Sequence, residues 1–447
     1  MKRFFIKNYG CQMNSYDSSR ISDLLVKEKY VQANKITEAD IVIFNTCSIR
    51  EKADEKLFSD LGRARLLKVK AQSAYSDFLI VVTGCVAQLQ PERLVEKAPY
   101  VDIIIGPREI HRITQCLDEA LRHPSAAPKI LTDQTNQDKF SCYDEAQSLQ
   151  QGETSMFLTI QEGCDNFCSY CVVPRTRGRE FSRDAADVLK EARQLLSRGT
   201  KEIVLLGQNV NSYRGVGLDG KSWNLSRLLF ALAELDELKR LRYFTSHPKD
   251  LDEGMARAHG EINILAPSLH LPVQSGSDDV LERMNRKYSR ADYLGCIDLL
   301  RSRRPDMAFS SDFIVGFPGE TDNDFQETLR LVETVKFSQA YSFKYSQRPN
   351  TAAERMEGQI PENVKSERLT ILQEILNFQQ DQFNQNCIGR YLEVLITKRG
   401  RHENQWNGRS EYSQAVAVED NSLSAGDLVL VKITDRLSHS LVGVVEK

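Results

Sequence analysis

One pattern recurs three times near the start of the chain and limits what this region can fold into. An apolar run read as a strand ends in a small or polar pair and then a cysteine. Phe4-Phe5-Ile6-Lys7-Asn8-Tyr9-Gly10 leads to Cys11. Ile41-Val42-Ile43-Phe44-Asn45-Thr46 leads to Cys47, and Phe78-Leu79-Ile80-Val81-Val82-Thr83-Gly84 leads to Cys85. The steps of 36 and 38 residues match the length of a βαβ unit. Helical stretches lie between, such as Ser18 to Lys29, and Val101–Ile105 reads as a fourth strand. The expectation is a doubly wound parallel sheet over residues 1–120, with ligands at the carboxyl edge of its strands. Three cysteines distant in sequence then converge on that edge.

Residues 121–152 are polar and lack apolar periodicity. Pro124, Pro128 and the run Gln147–Gly152 read as a linker. From 153 to 380 short apolar strands alternate with helical patterns. Strands are expected at Phe157–Ile160, Ile203–Leu206, Leu241–Thr245, Leu269–Val273, Phe309–Val315 and Ala340–Tyr345. One helix carries Val188, Leu189, Ala192, Leu195 and Leu196 on one face, stopped by Gly199. Thr321 with Asp324 reads as a helix start. Six β/α repeats predict an open partial barrel. Residues 381–447 change to alternating patterns at Tyr391–Thr397, Tyr412–Val418, Asp427–Thr434 and Ser440–Val445, which predict a small antiparallel barrel. The fold class is α/β multidomain.

The densest chemistry is Cys164-Asp165-Asn166-Phe167-Cys168-Ser169-Tyr170-Cys171. No apolar run approaches the ~18–20 residues that span a bilayer, and Lys7 breaks the N-terminal apolar run too early for a signal peptide. A cytoplasmic chain keeps its thiols reduced, so clustered cysteines point to metal or catalysis rather than disulfides. A structural zinc site needs four ligands, and the nearest further cysteine is Cys142, in the apparent linker. Three thiolates suit a 4Fe–4S cluster with one iron left open for a substrate or cofactor. Zinc with a distant ligand and plain surface thiols are the alternatives. Cys11, Cys47 and Cys85 offer a second set of three, again leaving one iron open. Cys116, Cys142, Cys296 and Cys387 show no partner pattern and read as ordinary thiols.

The CxxxCxxC spacing and the partial barrel resemble radical S-adenosylmethionine (SAM) enzymes. Nearly the whole chain resembles the methylthiotransferase family of that superfamily, which joins an auxiliary-cluster domain, a radical SAM barrel and a small RNA-recognition barrel, the TRAM domain. The runs carrying this resemblance are Asn8–Asn14, Asn45–Ala53, Gly84–Gln88, Gly207–Asn211, His270–Ser277, Met284–Tyr288 and Gly316–Glu320. Two positions depart from the family pattern. Arg175 stands where an aromatic is usual, and Asn350 replaces a glycine, a change eased by the tolerance of Asn for positive φ.

The resemblance implies two 4Fe–4S clusters. One sits on Cys164, Cys168 and Cys171 and cleaves SAM to a 5′-deoxyadenosyl radical. The other sits on Cys11, Cys47 and Cys85 and carries sulfur. It further implies two SAM molecules per turnover and methylthiolation at C2 of an isopentenylated adenosine beside a tRNA anticodon. That C–H is unactivated, so ordinary acid–base catalysis is inadequate and a cofactor must supply the hard step. A reducing electron donor of flavodoxin or ferredoxin type and a sulfur source are implied partners. Tyr170, Gln208, Asn209, Asn211, Gln274, Ser275 and Arg286 are expected to line the cofactor pocket. No acid–base triad is expected, and the seven histidines form no ligand cluster. His247 and His270 read as structural.

The formal net charge of −3 is mild evidence against a generally basic nucleic-acid binder, so RNA contact must be local. Arg175, Arg177, Arg179 and Arg183 form the best basic patch for phosphates. Trp406 and Arg409 in a polar loop are candidates for stacking and phosphate contact. The same chemistry on threonylcarbamoyl-modified tRNA or a ribosomal protein is the runner-up. A non-catalytic iron–sulfur RNA-binding or redox-sensing protein, and a zinc module, are alternatives of other classes.

Overall fold

The computed structural model describes residues 1–48, 51–73, 77–123, 127–133, 139–142, 153–438 and 440–446. Pro124, the run Gln147–Gly152 and the residue pair Ile49-Arg50 of one family-like run lie outside the described residues. The chain divides into two compact units. The first holds residues 1–150 together with 162–165 and 172–181, and the second holds 151–161, 166–171 and 182–447.

The first unit is built on a six-stranded, all-parallel sheet in the order β2-β1-β3-β4-β5-β6. Its strands are β1 (Arg3–Asn8), β2 (Val31–Gln32), β3 (Ile41–Thr46), β4 (Leu79–Gly84), β5 (Ile103–Ile105) and β6 (Lys129–Leu131). Every residue of β3 and β4 is buried, as unbroken apolar runs in a sheet covered on both faces require. Val42 and Phe44 pack with Leu57, Leu61 and Ala64 of helix α2 (Glu51–Ser73). Ile41 and Ile43 face the other way, onto Ile21 and Leu25 of α1 (Gln12–Lys27). The doubly wound expectation therefore holds, with two additions at the sheet edges. β2 and β6 have two and three residues, too short for any periodicity to register. β6 also lies in the segment read as a linker.

The second unit begins with six parallel strands: β7 (Ser155–Thr159), β8 (Glu202–Leu206), β9 (Arg240–Tyr243), β10 (Ser268–His270), β11 (Ala308–Val315) and β12 (Gln339–Lys344). They form two three-stranded runs, β9-β8-β7 and β10-β11-β12, joined where Leu241 bridges Leu265. This is the partial barrel. The helix Ala185–Ser197 buries the five apolar residues expected on one face, and Gly199 follows it at φ +101°. Thr321 and Asp324 close a capping box.

A closed five-stranded barrel follows, with β13 (Tyr391–Arg399), β14 (Gln405–Ser410), β15 (Ala415–Glu419), β16 (Leu428–Arg436) and β17 (Leu441–Val445). Two details differ from the expectation. β15 and β17 pair in parallel, so the barrel is not purely antiparallel. The polar stretch read as a loop is β14. The expected boundary at residue 380 falls inside the helix Glu362–Gln385. Buried Arg240 and Arg242, at the amino end of β9, fasten this barrel to the partial one. Arg240 donates to the carbonyls of Arg409 and Glu393, both at 2.9 Å. Arg242 reaches the carbonyls of Ser410 and Glu411, both at 2.7 Å, and Glu202 at 2.8 Å. No helix of the described residues is long and apolar enough to cross a membrane.

Candidate iron–sulfur centres

In the first unit each of the three cysteines sits at the carboxyl end of a central strand. Cys11 caps α1 after β1, Cys47 follows β3, and Cys85 opens the helix after β4. A buried polar lattice ties these ends together. Asn14 donates to the Thr46 carbonyl at 2.7 Å and to Asn45 Oδ1 at 3.1 Å, and Asn45 returns a bond to the Asn14 carbonyl at 2.9 Å. Thr46 Oγ1 donates to the Thr83 carbonyl at 2.6 Å and accepts from the Val86 amide at 3.2 Å. Gly84 turns at φ +93°, where an added Cβ would lie 2.2 Å from the Thr46 carbonyl oxygen. Only glycine delivers Cys85 to this edge.

The thiols are close enough to act on one another. A hydrogen bond with Cys47 is the main cause that brings the Cys11 thiol down to about 6, against its burial and with help from Arg177. Burial pushes the Cys85 thiol up, opposed by Arg177. Thiolates are the form that binds metal, so this donor set fits an iron–sulfur group. Among the described residues no three His, Cys, Asp or Glu gather around a single-ion point; cluster iron is held by separate thiolates.

Beneath the thiols lies a four-charge network that the sequence reading missed. Arg177 donates to Asp17 and to Glu162, each at 2.7 Å. Lys139 donates to Asp17 at 3.1 Å and to Glu162 at 2.8 Å. All four side chains are at most 3 % exposed. Burial alone would raise the Asp17 carboxyl, but the two cations hold it below its usual value. The partners are too far apart in sequence for any motif to betray them.

In the second unit Cys168 and Cys171 lie on a loop held by backbone bonds. The Ser169 amide donates to the Met284 carbonyl at 3.0 Å, and the Ala353 amide to the Ser169 carbonyl at 2.8 Å. Phe167 takes φ +49°, and Asn285 Nδ2 donates to its carbonyl at 2.9 Å. Arg286 is fixed by Pro272 O and Tyr288 Oη, both at 2.8 Å. It then points Nη1 at Cys168 Sγ and Tyr170 Oη, both at 3.5 Å. Cys164 belongs to the first unit, where its amide donates to the Gly178 carbonyl at 3.3 Å.

The expected pocket residues divide. The Gln208 and Asn209 amides both donate to Gln161 Oε1, at 2.8 and 3.1 Å. Asn209 also donates to Asp250 at 2.7 Å and leaves its own buried Oδ1 without a partner. Asn211 is occupied on both atoms by the His247 backbone, at 2.8 Å each. Ser275 bonds Thr328 and the Ser277 amide, and Gln274 is held at φ +75° beside β11. Ser246 Oγ and His247 Nε2, just beyond β9, are buried without partners. Together with Asn209 Oδ1 they are unused polar groups at the carboxyl ends of β8 and β9. Asn209 was marked by the run Gly207–Asn211, whereas the only sequence signal for Ser246 and His247 was their place after a strand.

Three expected RNA contacts need correction. Arg177 is committed to Asp17 and Glu162. Arg183 is buried, donating to Glu191 at 2.7 Å and the Thr159 carbonyl at 2.8 Å. Trp406 is 6 % exposed in the barrel core, with the Arg399 guanidinium 4.1 Å over its ring, so that ring cannot stack on a base. A strand side chain of a closed barrel alternates inward and outward, and Trp406 points in. Arg175, Arg179 and Arg409 are exposed. Arg179 pairs with Asp165 at 3.4 Å, and Arg409 donates to the Ser413 carbonyl at 2.9 Å. Asn350 takes φ +67°, the conformation its family glycine would favour. Cys116 and Cys387 are buried, and burial pushes both thiols up, as it does Cys296, to about 11. The Cys142 side chain is outside what is described.

Comparison with known proteins finds three family models along the chain. The Radical SAM superfamily matches residues 158–332, Uncharacterized protein family UPF0004 matches 3–106, and the TRAM domain matches 385–445. A tRNA-2-methylthio-N(6)-dimethylallyladenosine synthase of Bartonella bacilliformis is 49% identical over 99% of this chain and 96% of its own length. Its counterpart in Agrobacterium fabrum is 48% identical over 98% of this chain and 96% of its own. Among solved structures, the radical SAM methyltransferase TsrM of Kitasatospora setae shares the fold at a TM-score of 0.57. It is 14% identical over 79% of this chain and 77% of that one. The cobalamin-dependent radical enzyme OxsB does so at 0.54, with 12% identity over 84% of this chain and 56% of that one. This chain belongs to the tRNA-2-methylthio-N(6)-dimethylallyladenosine synthases, methylthiotransferase enzymes of the radical SAM superfamily.

Proposed function

We propose that the protein replaces the C2 hydrogen of N6-isopentenyladenosine beside the anticodon of tRNA with a methylthio group, consuming two SAM molecules. The observation that carries this reading is the presence of two separate three-cysteine sets on one chain. Cys11, Cys47 and Cys85 lie at the carboxyl ends of β1, β3 and β4. Cys164, Cys168 and Cys171 follow β7. In this reading the second set holds the 4Fe–4S cluster that binds SAM, and the first holds the auxiliary 4Fe–4S cluster that carries sulfur. When bound, these groups supply the SAM-derived radical and the sulfur that the inert C2 position needs.

The chain's own residues bind and orient. Arg286 fixes Cys168 and Tyr170 relative to each other. Tyr170 is half-buried and edge-on against Phe317, and in this reading it flanks the adenine of SAM. Asn209, Ser246 and His247 offer unused polar groups for polar portions of SAM. Gln208, Asn211, Gln274 and Ser275 shape the strand ends around them. Arg175 and Arg179 are the exposed members of the basic run for tRNA phosphates, and Arg409 extends phosphate contact onto the small barrel. The proposed division of labour is 1–120 for the auxiliary cluster, 153–380 for radical chemistry and 381–447 for RNA. A low-potential donor of flavodoxin or ferredoxin type and a sulfur source complete the reaction, in the cytoplasm.

The test is anaerobic reconstitution with reductant, SAM and isopentenylated tRNA, followed by digestion and mass spectrometry. A methylthio-adenosine product that disappears in Cys168→Ala is expected. Formation of 5′-deoxyadenosine with unchanged tRNA would remove the substrate assignment and leave the radical one standing. Zinc without sulfide on anaerobic metal analysis would overturn both clusters.

A further inference from the structure

We infer that Arg177 is a positioning residue for the auxiliary cluster: a guanidinium fixed by Asp17 and Glu162 that holds positive charge against the Cys11 and Cys85 thiolates and raises the reduction potential of the group bound there. The inference rests on the reading of that triad as a cluster site. Arg177 is 2 % exposed, so solvent does not screen it. Two planar bonds at 2.7 Å, to Asp17 Oδ2 and Glu162 Oε1, lock its orientation. Its Nη2 lies 3.4 Å from Asn14 Oδ1, and the same oxygen lies 3.4 Å from Cys11 Sγ. One amide oxygen thus stands between the guanidinium and a thiol. Its charge also acts on both the Cys11 and the Cys85 thiols.

Structural need alone does not account for this arrangement. Two carboxylates and two cations sealed from water cost several kcal/mol per ion in desolvation, and well-packed apolar side chains commonly serve stability as well or better. The two cations also differ in aim. Lys139 spends its bonds on Asp17, Glu162 and the Pro107 carbonyl, whereas Arg177 also reaches Asn14 Oδ1, the oxygen that the Cys11 thiol contacts. Thiolates and a cluster bring negative charge to this edge, and reduction adds one more. A fixed cation stabilises the more negative state and so favours reduction.

The experiment uses the full chain carrying Cys164→Ala, Cys168→Ala and Cys171→Ala, reconstituted anaerobically so that only the first unit binds iron. The midpoint potential is followed by electron paramagnetic resonance. Arg177→Gln should shift it to more negative values, and Asp17→Asn, which removes a nearby anion, to more positive ones. Arg177→Lys should stay nearer the parent. A parent chain labelled with 15N-arginine should show nitrogen hyperfine coupling to the reduced cluster, absent in Arg177→Lys. That measurement needs no loss of the ion pair, so it decides the matter if the Gln variant does not fold. A bound cluster without the coupling, or with potentials unmoved in folded variants, overturns the role of Arg177. Failure of the triple variant to bind any cluster overturns the triad reading itself, and the inference with it.

Discussion

At the scale of single residues, chemistry written in local spacing was legible and chemistry written in long-range pairing was not. The six cysteines stand out because a short motif and a strand-end repeat mark them. Arg177 read as a surface phosphate contact because it sits in an arginine-rich run. Its partner Asp17 is 160 residues away, and no local rule connects them. The same blindness applied to Lys139, which lies in a polar segment with no pattern. A consequence at this scale concerns Lys139→Met. It leaves Asp17 and Glu162 with one buried cation between them, and breaking such a pair typically costs about 3–5 kcal/mol. Chemical denaturation should show an unfolding free energy lower by that amount, and a variant indistinguishable from the parent would mean the network contributes no such stability.

At the scale of elements, long apolar runs were read correctly and short or polar strands were missed. β14 was taken as a loop because Gln405–Ser410 is mostly polar. In the barrel Gly408 is there for another reason: an added Cβ would lie 2.5 Å from a Val394 methyl and 2.6 Å from the Leu395 carbonyl. Glycine within a strand often marks such a close approach. Gly84 makes the comparable case at the site. Gly84→Ala forces a side chain to φ +93° and into the Thr46 carbonyl. It should destabilise by more than about 1 kcal/mol and lower the iron and sulfide retained by the first triad when the second is removed. Normal retention would show that Cys85 does not depend on this turn.

A helix of the partial barrel gives a pH prediction. His259, in the helix Glu253–Glu261, is 1 % exposed and accepts or donates a 2.7 Å bond with Tyr243 Oη. Burial, and secondarily Arg304, hold its pKa down to about 3. The unfolded chain takes up this proton near pH 6.5 and the folded chain does not. Stability contributed here is therefore present above about pH 6.5 and falls as pH drops from there toward 3, by at most about 1.4 kcal/mol per unit. His259→Gln should flatten the loss between pH 7.5 and 5 in paired denaturation curves. Parallel curves for the two proteins would contradict the neutral assignment.

At the scale of the whole molecule, the sequence conveyed three segments but not how they are joined. The small barrel is fastened to the amino ends of β8 and β9 by Arg240, Arg242 and Glu202, whereas the cysteine loop of the second unit follows the carboxyl end of β7. Those arginines sit in an ordinary strand pattern, and their acceptors are backbone carbonyls, which no sequence reveals. Arg242→Ala removes donors from Ser268, Ser410, Glu411 and Ser413 together with a partner of Glu202. Hydrogen exchange should quicken across residues 405–419 while β3 and β4 stay protected. Unchanged exchange would show that the small barrel is held by its apolar contacts alone.

The route of the polypeptide through Glu162 and Arg177 bears on how such a protein can be taken apart. A cut made where composition changes, near residue 152, would assign both side chains to the downstream piece. The upstream piece would then keep Asp17 and Lys139 but lose the opposite charge of each that the longer chain supplies. Grafting this cysteine-bearing sheet onto another catalytic barrel would demand that the recipient bring its own acid and arginine at matching places. Recombination of this chain is thus constrained at a network of four charges rather than at a linker, and a transplantable fragment has to be defined by which charges travel together.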